Sequence, residues 1–484
     1  MKPRIYATLL FLIACIGVHA QEVTEQPLDT LTRHTAGLRQ EVEVLKRIKL
    51  SGYIQAQYQV ADSAGARGYA GGDFAPGVDK RFMLRRARLK AQYDAPFNDK
   101  GISTSQYVFQ LDVTERGVVI KDMYAKFTDP WSGWFSITAG MQNRPFGYEI
   151  GYSSSLRESP ERGRMSQIIF PNERDLGAML AIQGPKLSNW NWLKIEGGFF
   201  NGTGGPGAAN ILNGTASGTS NTSDFDKFKD FIGHVVINRS SKSEKIKWGV
   251  GASYYAGGFR QDTSNQYKYA VDGAGVKGFN VAQKKSEVSA NINARKKVDR
   301  TYVGLDGQVN IDWMIGVTTF RAEYISGVQP STSTNTASPA FAPVSTTTST
   351  VAVVTDTSGA IKTITTTSIG SADIYVRNFN GAYFYFLQNI GRSPFQFIAK
   401  YDWYDPNTDV KGDEIGKTIS GGKPTTLGDI KYTTIGLGLA YRWDANVKIT
   451  AYYDMVENET SANLAGYTND LLDDVFTLRV QVKF

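Results

Sequence analysis

Arg86, Arg88 and Lys90 stand at alternate positions in the run Leu84-Arg85-Arg86-Ala87-Arg88-Leu89-Lys90-Ala91-Gln92-Tyr93. In an extended chain, side chains at i, i+2 and i+4 share one face, so these three cations form a ladder about 14 Å long. Leu89, Ala91 and Tyr93 take the opposite, apolar face, and strict alternation turns Arg85 toward it. A row of fixed cations attracts and guides anions, most strongly where a narrow passage limits screening. Asp122, Tyr124 and Lys126 repeat the spacing of two in a later segment. A lone carboxylate there either pairs with the ladder or arranges its cations. Arg144 then precedes Pro145-Phe146-Gly147, and Ser153-Ser154 offers two hydroxyl donors to an oxyanion. Arg157, Arg162, Arg164 and Arg174 lie among Glu149, Glu158, Glu161, Glu173 and Asp175, a mixture suited to a salt-bridge network that holds a loop.

Other chemistries are poorly supplied. The chain has 3 His and 1 Cys, which excludes a disulfide framework and a Cys-based zinc site. His34 and His234 lie in the N-terminal helix and mid-chain, leaving little for His-centred catalysis, so no enzyme activity, metal or cofactor is expected. The net charge of +7 would suit nucleic acid, but the basic residues are dispersed and no compact nucleic-acid-reading motif accompanies them.

The elements that must position these residues follow from patterning. Residues 1–20 read as an export signal: Lys2 and Arg4 are the charged start, Ala7 to Val18 the apolar core, and Val18-His19-Ala20 the cleavage site. Removing it takes the formal charge from +7 to +5. Leu12-Ile13-Ala14-Cys15 also fits a lipoprotein cleavage box, and both routes export the chain from a bacterium. Residues 21–49 read as a helix with Leu31, Leu38 and Leu45 spaced by seven and Val42 and Ile48 on the second seam. Either this helix packs on its own domain or it forms a short coiled-coil stalk. No later run of about 20 apolar residues exists, which excludes a helical membrane bundle.

From residue 50 to 484 the period is two. Phe476, Leu478, Val480, Val482 and Phe484 alternate with Thr477, Arg479, Gln481 and Lys483 at the C-terminus. Sixteen such segments are predicted. Short turns such as 129–133, 391–394 and 444–446 alternate with long connections near 61–81, 145–175, 201–230, 258–299, 327–373, 405–430 and 458–473, and Thr114–Gly117 is the one short connection on the long side. An even strand count with loops sorted by parity is the pattern of an all-β, antiparallel transmembrane barrel of the bacterial outer membrane. Trp131, Trp134, Trp403, Tyr404, Tyr441 and Trp443 stand near strand ends, where they suit either interfacial girdles or ordinary barrel packing. Half of residues 331–372 are Ser or Thr, so this connection reads as a polar hairpin or insertion rather than part of the wall.

Four motifs in order resemble the phosphate-selective porin O and P family: Leu84–Leu89, Ile120–Ala125, Gly140–Glu149 continuing through Ser153-Ser154 to Arg162, and Phe170–Gly177. The resemblance covers residues 84–180 by motif and the remainder by architecture. It implies a trimeric barrel of 16 strands, with residues 145–175 folded into the pore and a basic constriction that includes both Arg85 and Arg86, with Ser153 and Ser154 as oxyanion donors. The chain departs from the best-known members at Ile150 and Ser155, where they carry lysines, and at Tyr53, where they carry Arg. Their arginine ladder is also missing from the ninth and tenth strands. These departures put strong phosphate selectivity in doubt. The expected function is therefore passive diffusion of small solutes with modest preference for anions such as phosphate or carboxylates. Arg85, Arg86, Arg88, Lys90, Asp122, Tyr124, Lys126, Arg144, Ser153 and Ser154 line that path. Expected partners are outer-membrane lipid and lipopolysaccharide, two further copies of the chain, and the barrel-assembly machinery through Phe484. The competing reading is a binding or adhesion barrel whose long loops are the functional part.

Overall fold

The computed structural model describes residues 27–67, 71–115, 117–171, 173–202, 224, 226–261, 264–337, 346–355, 361–370 and 373–484. The export signal and Cys15 lie outside the described residues. Two units separate after Ile48. The first contains α1 (Pro27–Lys46), which opens on a proline, whose fixed φ suits a first helical turn. On α1, Leu38 is 59% and Leu45 is 64% exposed, so the apolar seam is open.

The second unit is a sheet closed on itself. Its strands are β1 (Ile48–Ala61), β2 (Lys80–Asp94), β3 (Ser105–Thr114), β4 (Gly117–Thr128), β5 (Phe135–Asn143), β6 (Arg174–Gln183), β7 (Leu193–Phe200), β8 (Asp230–Ser240) and β9 (Ile246–Arg260). They continue as β10 (Gln266–Val271), β11 (Lys277–Gln283), β12 (Lys297–Trp313), β13 (Gly316–Ser331), β14 (Thr346–Thr355), β15 (Ile361–Gly370), β16 (Ile374–Asn389), β17 (Phe395–Asp405), β18 (Tyr432–Arg442), β19 (Val447–Asn458) and β20 (Val475–Lys483). With the β10–β11 and β14–β15 hairpins left out, so that β9 pairs with β12 and β13 with β16, each strand pairs with the next, and β20 returns to β1 antiparallel with Ile54 opposite Val482. This is the expected antiparallel barrel of 16 strands. The polar connection forms the expected hairpin as a separate two-stranded sheet of β14 and β15.

Alternation builds the wall. Gln55, Gln57 and Gln59 are buried inside while Ile54 is exposed outside. Thr477, Arg479 and Gln481 point inward on β20, and Phe476, Leu478, Val480 and Val482 outward, as their spacing predicts. Leu89, Phe109, Ile137, Leu180, Val250, Leu305, Phe320 and Leu437 continue that exposed apolar face around the circumference. Such a belt is at equilibrium against lipid chains, not water.

The rims differ. Trp131, Trp134, Trp190, Trp192, Trp248, Trp313 and Trp443 sit in short connections or at the strand ends flanking them, and Trp403 alone stands near the long-loop rim. The short-turn rim therefore carries an aromatic belt. Asp129 shapes one of its turns by accepting N–H bonds from Trp131, Ser132, Trp134 and Phe135. Those donors, Ser132 foremost, hold its carboxyl below the usual range. Several strands exceed the roughly 9–11 residues that a tilted strand needs to cross a bilayer, with 17 in β12 and 16 in both β13 and β16. At the long-loop end the start of β16 takes on β10 as a parallel neighbour, and the β10–β11 hairpin has no counterpart in the sequence reading.

Two irregularities re-aim side chains. Opposite β3 the register of β4 slips, with Gln110 facing Asp122 and Leu111 facing Ile120, so Lys121 is an extra residue in the strand. On β2, Arg81 bonds to Gln59 and Met83 to Gln57 inside the barrel, yet Arg86 and Arg88 are also inside. Alternation thus changes phase at Arg85–Arg86.

Candidate pore constriction

Residues 144–173, between β5 and β6, fold into the lumen and fasten to both sides of it. The first anchor is apolar. Phe146 packs on Phe170 with ring centres 5.1 Å apart, and both rings meet Tyr255 of β9 and Tyr302 of β12. Ile150, Met165, Ile168 and Ile169 extend this core against Tyr383, Tyr385 and Leu387 of β16, Ile398 and Tyr404 of β17, and Tyr452 of β19. A core inside the barrel explains why this loop is ordered without disulfides.

Carboxylates of the wall add a second anchor by accepting the loop's backbone N–H groups. Gly147 has φ +59°, and a Cβ there would overlap the Glu323 carboxylate. This close turn lets the Tyr148 and Glu149 N–H groups donate to Glu323 Oε2 at 3.2 and 3.1 Å, beside the Tyr383 hydroxyl at 2.8 Å. Glu149 in turn accepts the Gly163 N–H, and Asp402 accepts the first N–H of α2 (Arg164–Ile169) at 3.1 Å. Arg321 of β13 holds Glu158 with two bonds of 3.0 and 3.2 Å, its guanidinium lying against Tyr148 and Tyr152.

On the opposite wall the loop meets the basic residues. Glu161, 5% exposed, accepts from Arg85 at 2.8 and 3.1 Å, Arg86 at 3.1 and 2.7 Å, and Arg479 at 2.8 Å. Glu173 pairs with Arg162 at 3.1 Å and with Arg174, which also holds Asp122 at 3.0 Å. Arg88 pairs with Asp112 at 3.1 Å. Arg85, Arg86, Arg88, Lys121, Arg162, Arg174 and Arg479 thus surround Glu161, Glu173, Asp112 and Asp122. Cations outnumber carboxylates here even after every close pair is formed.

The expected site residues fall into four groups. Arg85, Arg86, Arg88 and Asp122 come together, all inside and all paired; Arg85 is the correction to strict alternation, because the phase change turns it inward. Ser154 joins them through Gln55, which donates to the Ser154 carbonyl and accepts from Arg86. Its hydroxyl is taken by Tyr53. Ser153 lies apart, exposed and bonded to Ser155. Tyr124, Lys126 and Arg144 line a cavity of about 320 Å³ on the short-turn side of the loop. It shares Gly147, Gly151, Lys194, Glu196 and His234 with a larger one of about 760 Å³. Lys90 is half-buried on the Arg86–Arg88 face, opposite Gln110, nearer the short-turn end of β2. Ile150, standing where the family has a lysine, is a core residue.

Sequence reasoning missed Lys121, Glu161 as a hub, and Arg479. The inward parity of Arg479 on the last strand was a usable signal; the bulge at Lys121 leaves none. On the long-loop side a vestibule of about 250 Å³ is lined by Arg67, Asp73, Arg164, Ile168 and Asp473. Asp473 lies in the connection before β20, where burial raises its carboxyl to about 6 against the pull of Arg164.

No family model and no curated protein sequence matches the chain. Solved structures do. OprB of Pseudomonas putida, at high pH, superimposes with TM-score 0.54 and 10% identity over 93% of this chain and 97% of its own. An anion-selective porin from Comamonas acidovorans gives 0.47 and 9% over 90% and 99%. The outer membrane channel DcaP of Acinetobacter baumannii gives 0.46 and 10% over 90% and 97%. At such identities the OprB likeness speaks for the barrel fold.

Proposed function

We propose that the chain is a diffusion porin of the bacterial outer membrane, passing small solutes with a modest preference for anions such as phosphate or carboxylates. The observation that carries this reading is the loop of residues 144–173, which narrows a closed barrel where cations exceed carboxylates. Fixed charge at a narrow, poorly screened point biases which ions pass. The pairing of Arg85, Arg86 and Arg88 supports weak rather than tight anion binding, since each guanidinium already has a carboxylate. Kinship with the phosphate-selective O and P family rests on the four motifs; their residues form the loop's turn, hub and anchors. We further propose a homotrimer stabilised by α1, contact with lipopolysaccharide at the long-loop rim, and delivery by the barrel-assembly machinery through Phe484.

Reversal potential across a potassium chloride gradient in planar bilayers tests the channel reading. The expected result is a steady conductance with permeability to chloride above that to potassium. A silent bilayer would favour the adhesion barrel, and a cation-preferring current would remove the anion preference.

A further inference from the structure

We infer that Lys121 and Arg144 are the residues that set the anion preference, forming a weak oxyanion subsite at the start of the constriction loop; this rests on the channel reading above. The two differ from the paired arginines of the constriction, and from Arg157, whose guanidinium is turned back onto the Tyr152 carbonyl of its own loop at 3.5 Å. Arg85, Arg86, Arg88, Arg162, Arg174 and Arg479 each lie within ion-pair distance of a carboxylate. Arg144 is 2% exposed, and among the described residues it pairs with no carboxylate. Its Nε reaches the Glu173 carbonyl at 3.4 Å, its guanidinium lies 4.6 Å from the Phe170 ring centre, and its Nη2 has no hydrogen-bond partner. A buried donor left open is costly unless something completes it. Arg144 lines the cavity on the short-turn side of the loop, so a solute in that cavity can do so.

The bulge brings Lys121 to the neighbourhood of the loop's start. The β4–β5 register pairs Met123 with Met141; two residues further on stand Lys121 and Asn143, with Arg144 next. The extra residue turns Lys121 toward the charged interior, where Glu173, Arg88, Arg174 and Asp112 are its electrostatic neighbours, Asp112 being held by Arg88. Among the described residues no carboxylate lies within ion-pair distance of it. Glu173 is thus the shared neighbour of both cations, and it is already engaged by Arg162 and Arg174. Two cations without a carboxylate in ion-pair distance, one on the cavity wall and one on the neighbouring strand, attract a small oxyanion, and the lack of a further built cage keeps the hold weak. The proposal also separates two roles: the paired arginines fix the loop, and the unpaired cations act on the solute.

The test is the reversal potential of the full-length protein and its Lys121→Gln, Arg144→Gln and Arg144→Lys variants in a potassium chloride gradient. Heat-modifiable electrophoretic mobility reports folding. A unit charge about 8 Å from the ion path, screened as in water, changes an ion's local population about two- to threefold. It favours chloride and disfavours potassium by that factor each, so every glutamine variant is expected to lower the chloride-to-potassium permeability ratio about sixfold. Arg144→Lys should retain most of it, and inorganic phosphate should block wild-type chloride current more than that of either glutamine variant. Folded Lys121→Gln and Arg144→Gln channels with wild-type ratios would overturn the assignment while leaving the anion preference standing. A wild-type channel that prefers potassium would instead overturn the channel's anion reading. If Arg144→Gln fails to fold, Lys121→Gln decides alone, because that side chain makes no anchoring bond among the described residues.

Discussion

Replacing Glu161 with Gln tests the constriction as a charged machine and as a mechanical one. Five guanidinium nitrogens of three arginines lie 2.7–3.1 Å from this one carboxylate. Removing its charge leaves Arg85, Arg86 and Arg479 facing each other, and breaking a buried pair from one side costs about 3–5 kcal/mol. The loop keeps its apolar core and the Glu323 anchor, so this loss loosens its grip on β2 and β20 without unfolding the barrel. Two effects are expected together. One added unit of positive charge should raise the chloride-to-potassium permeability ratio about sixfold, from a Coulomb energy of about 0.5 kcal/mol of opposite sign for the two ions at about 8 Å with water-like screening. The loosened segment should also show as excess open-channel noise and as faster protease cleavage after Arg157 or Arg162. Single-channel recording and limited proteolysis of the same preparation read both. Wild-type selectivity, noise and cleavage in a folded Glu161→Gln channel would refute the hub.

Three further outcomes follow from other parts of the molecule. Glu323→Ala removes the acceptor for the Tyr148 and Glu149 N–H groups, so the loop should undock from β13 and unit conductance should rise; unchanged conductance with wild-type cleavage rates would place the anchoring elsewhere. Asp473 carries its charge only above a pH of about 6, so anion preference should increase as pH falls through that value, with a smaller step in Asp473→Asn; Arg164, Asp470 and Asp474 are the other charges around it. Leu38→Asn with Leu45→Asn polarises the exposed seam of α1 and should lower the melting temperature of the oligomer on unheated gels while monomers stay heat-modifiable; an unchanged melting point would remove α1 from assembly.

Much of the barrel was legible because its rules are local. A period of two, read with the parity of loop lengths, needs no knowledge of what touches what, and it located the strands and the inward faces of Arg86, Arg88 and Asp122. Aromatics near strand ends were legible too, although the tryptophans concentrate on one rim. Strict alternation failed at Arg85 and Lys121, because a bulge adds one residue without changing composition. Nothing local announced that Phe146 would pack on Tyr302, or that Glu161 would reach Arg479, since these contacts join distant segments. The inward course of residues 145–175 came from the resemblance, not from periodicity. The β10–β11 hairpin escaped notice because its strands are short and lie in a connection dominated by polar residues.

The loop crosses the seam where the chain's two ends meet. Gln55 of β1 donates to the Ser154 carbonyl, Gln481 of β20 donates to that of Ser155, and Glu161 joins Arg86 of β2 to Arg479 of β20. The bonds of Arg479 and Gln481 join those of β1 and β2 only when the last strand has zipped to the first. The final folding step therefore completes the constriction: an intermediate with an unjoined edge lacks the Arg479 and Gln481 bonds that tie the loop to the last strand. Such a species would be leaky while incomplete, and the same event that seals the wall narrows the passage. For a membrane that must stay a barrier during insertion, this timing couples completion of the cylinder to control of what it lets through.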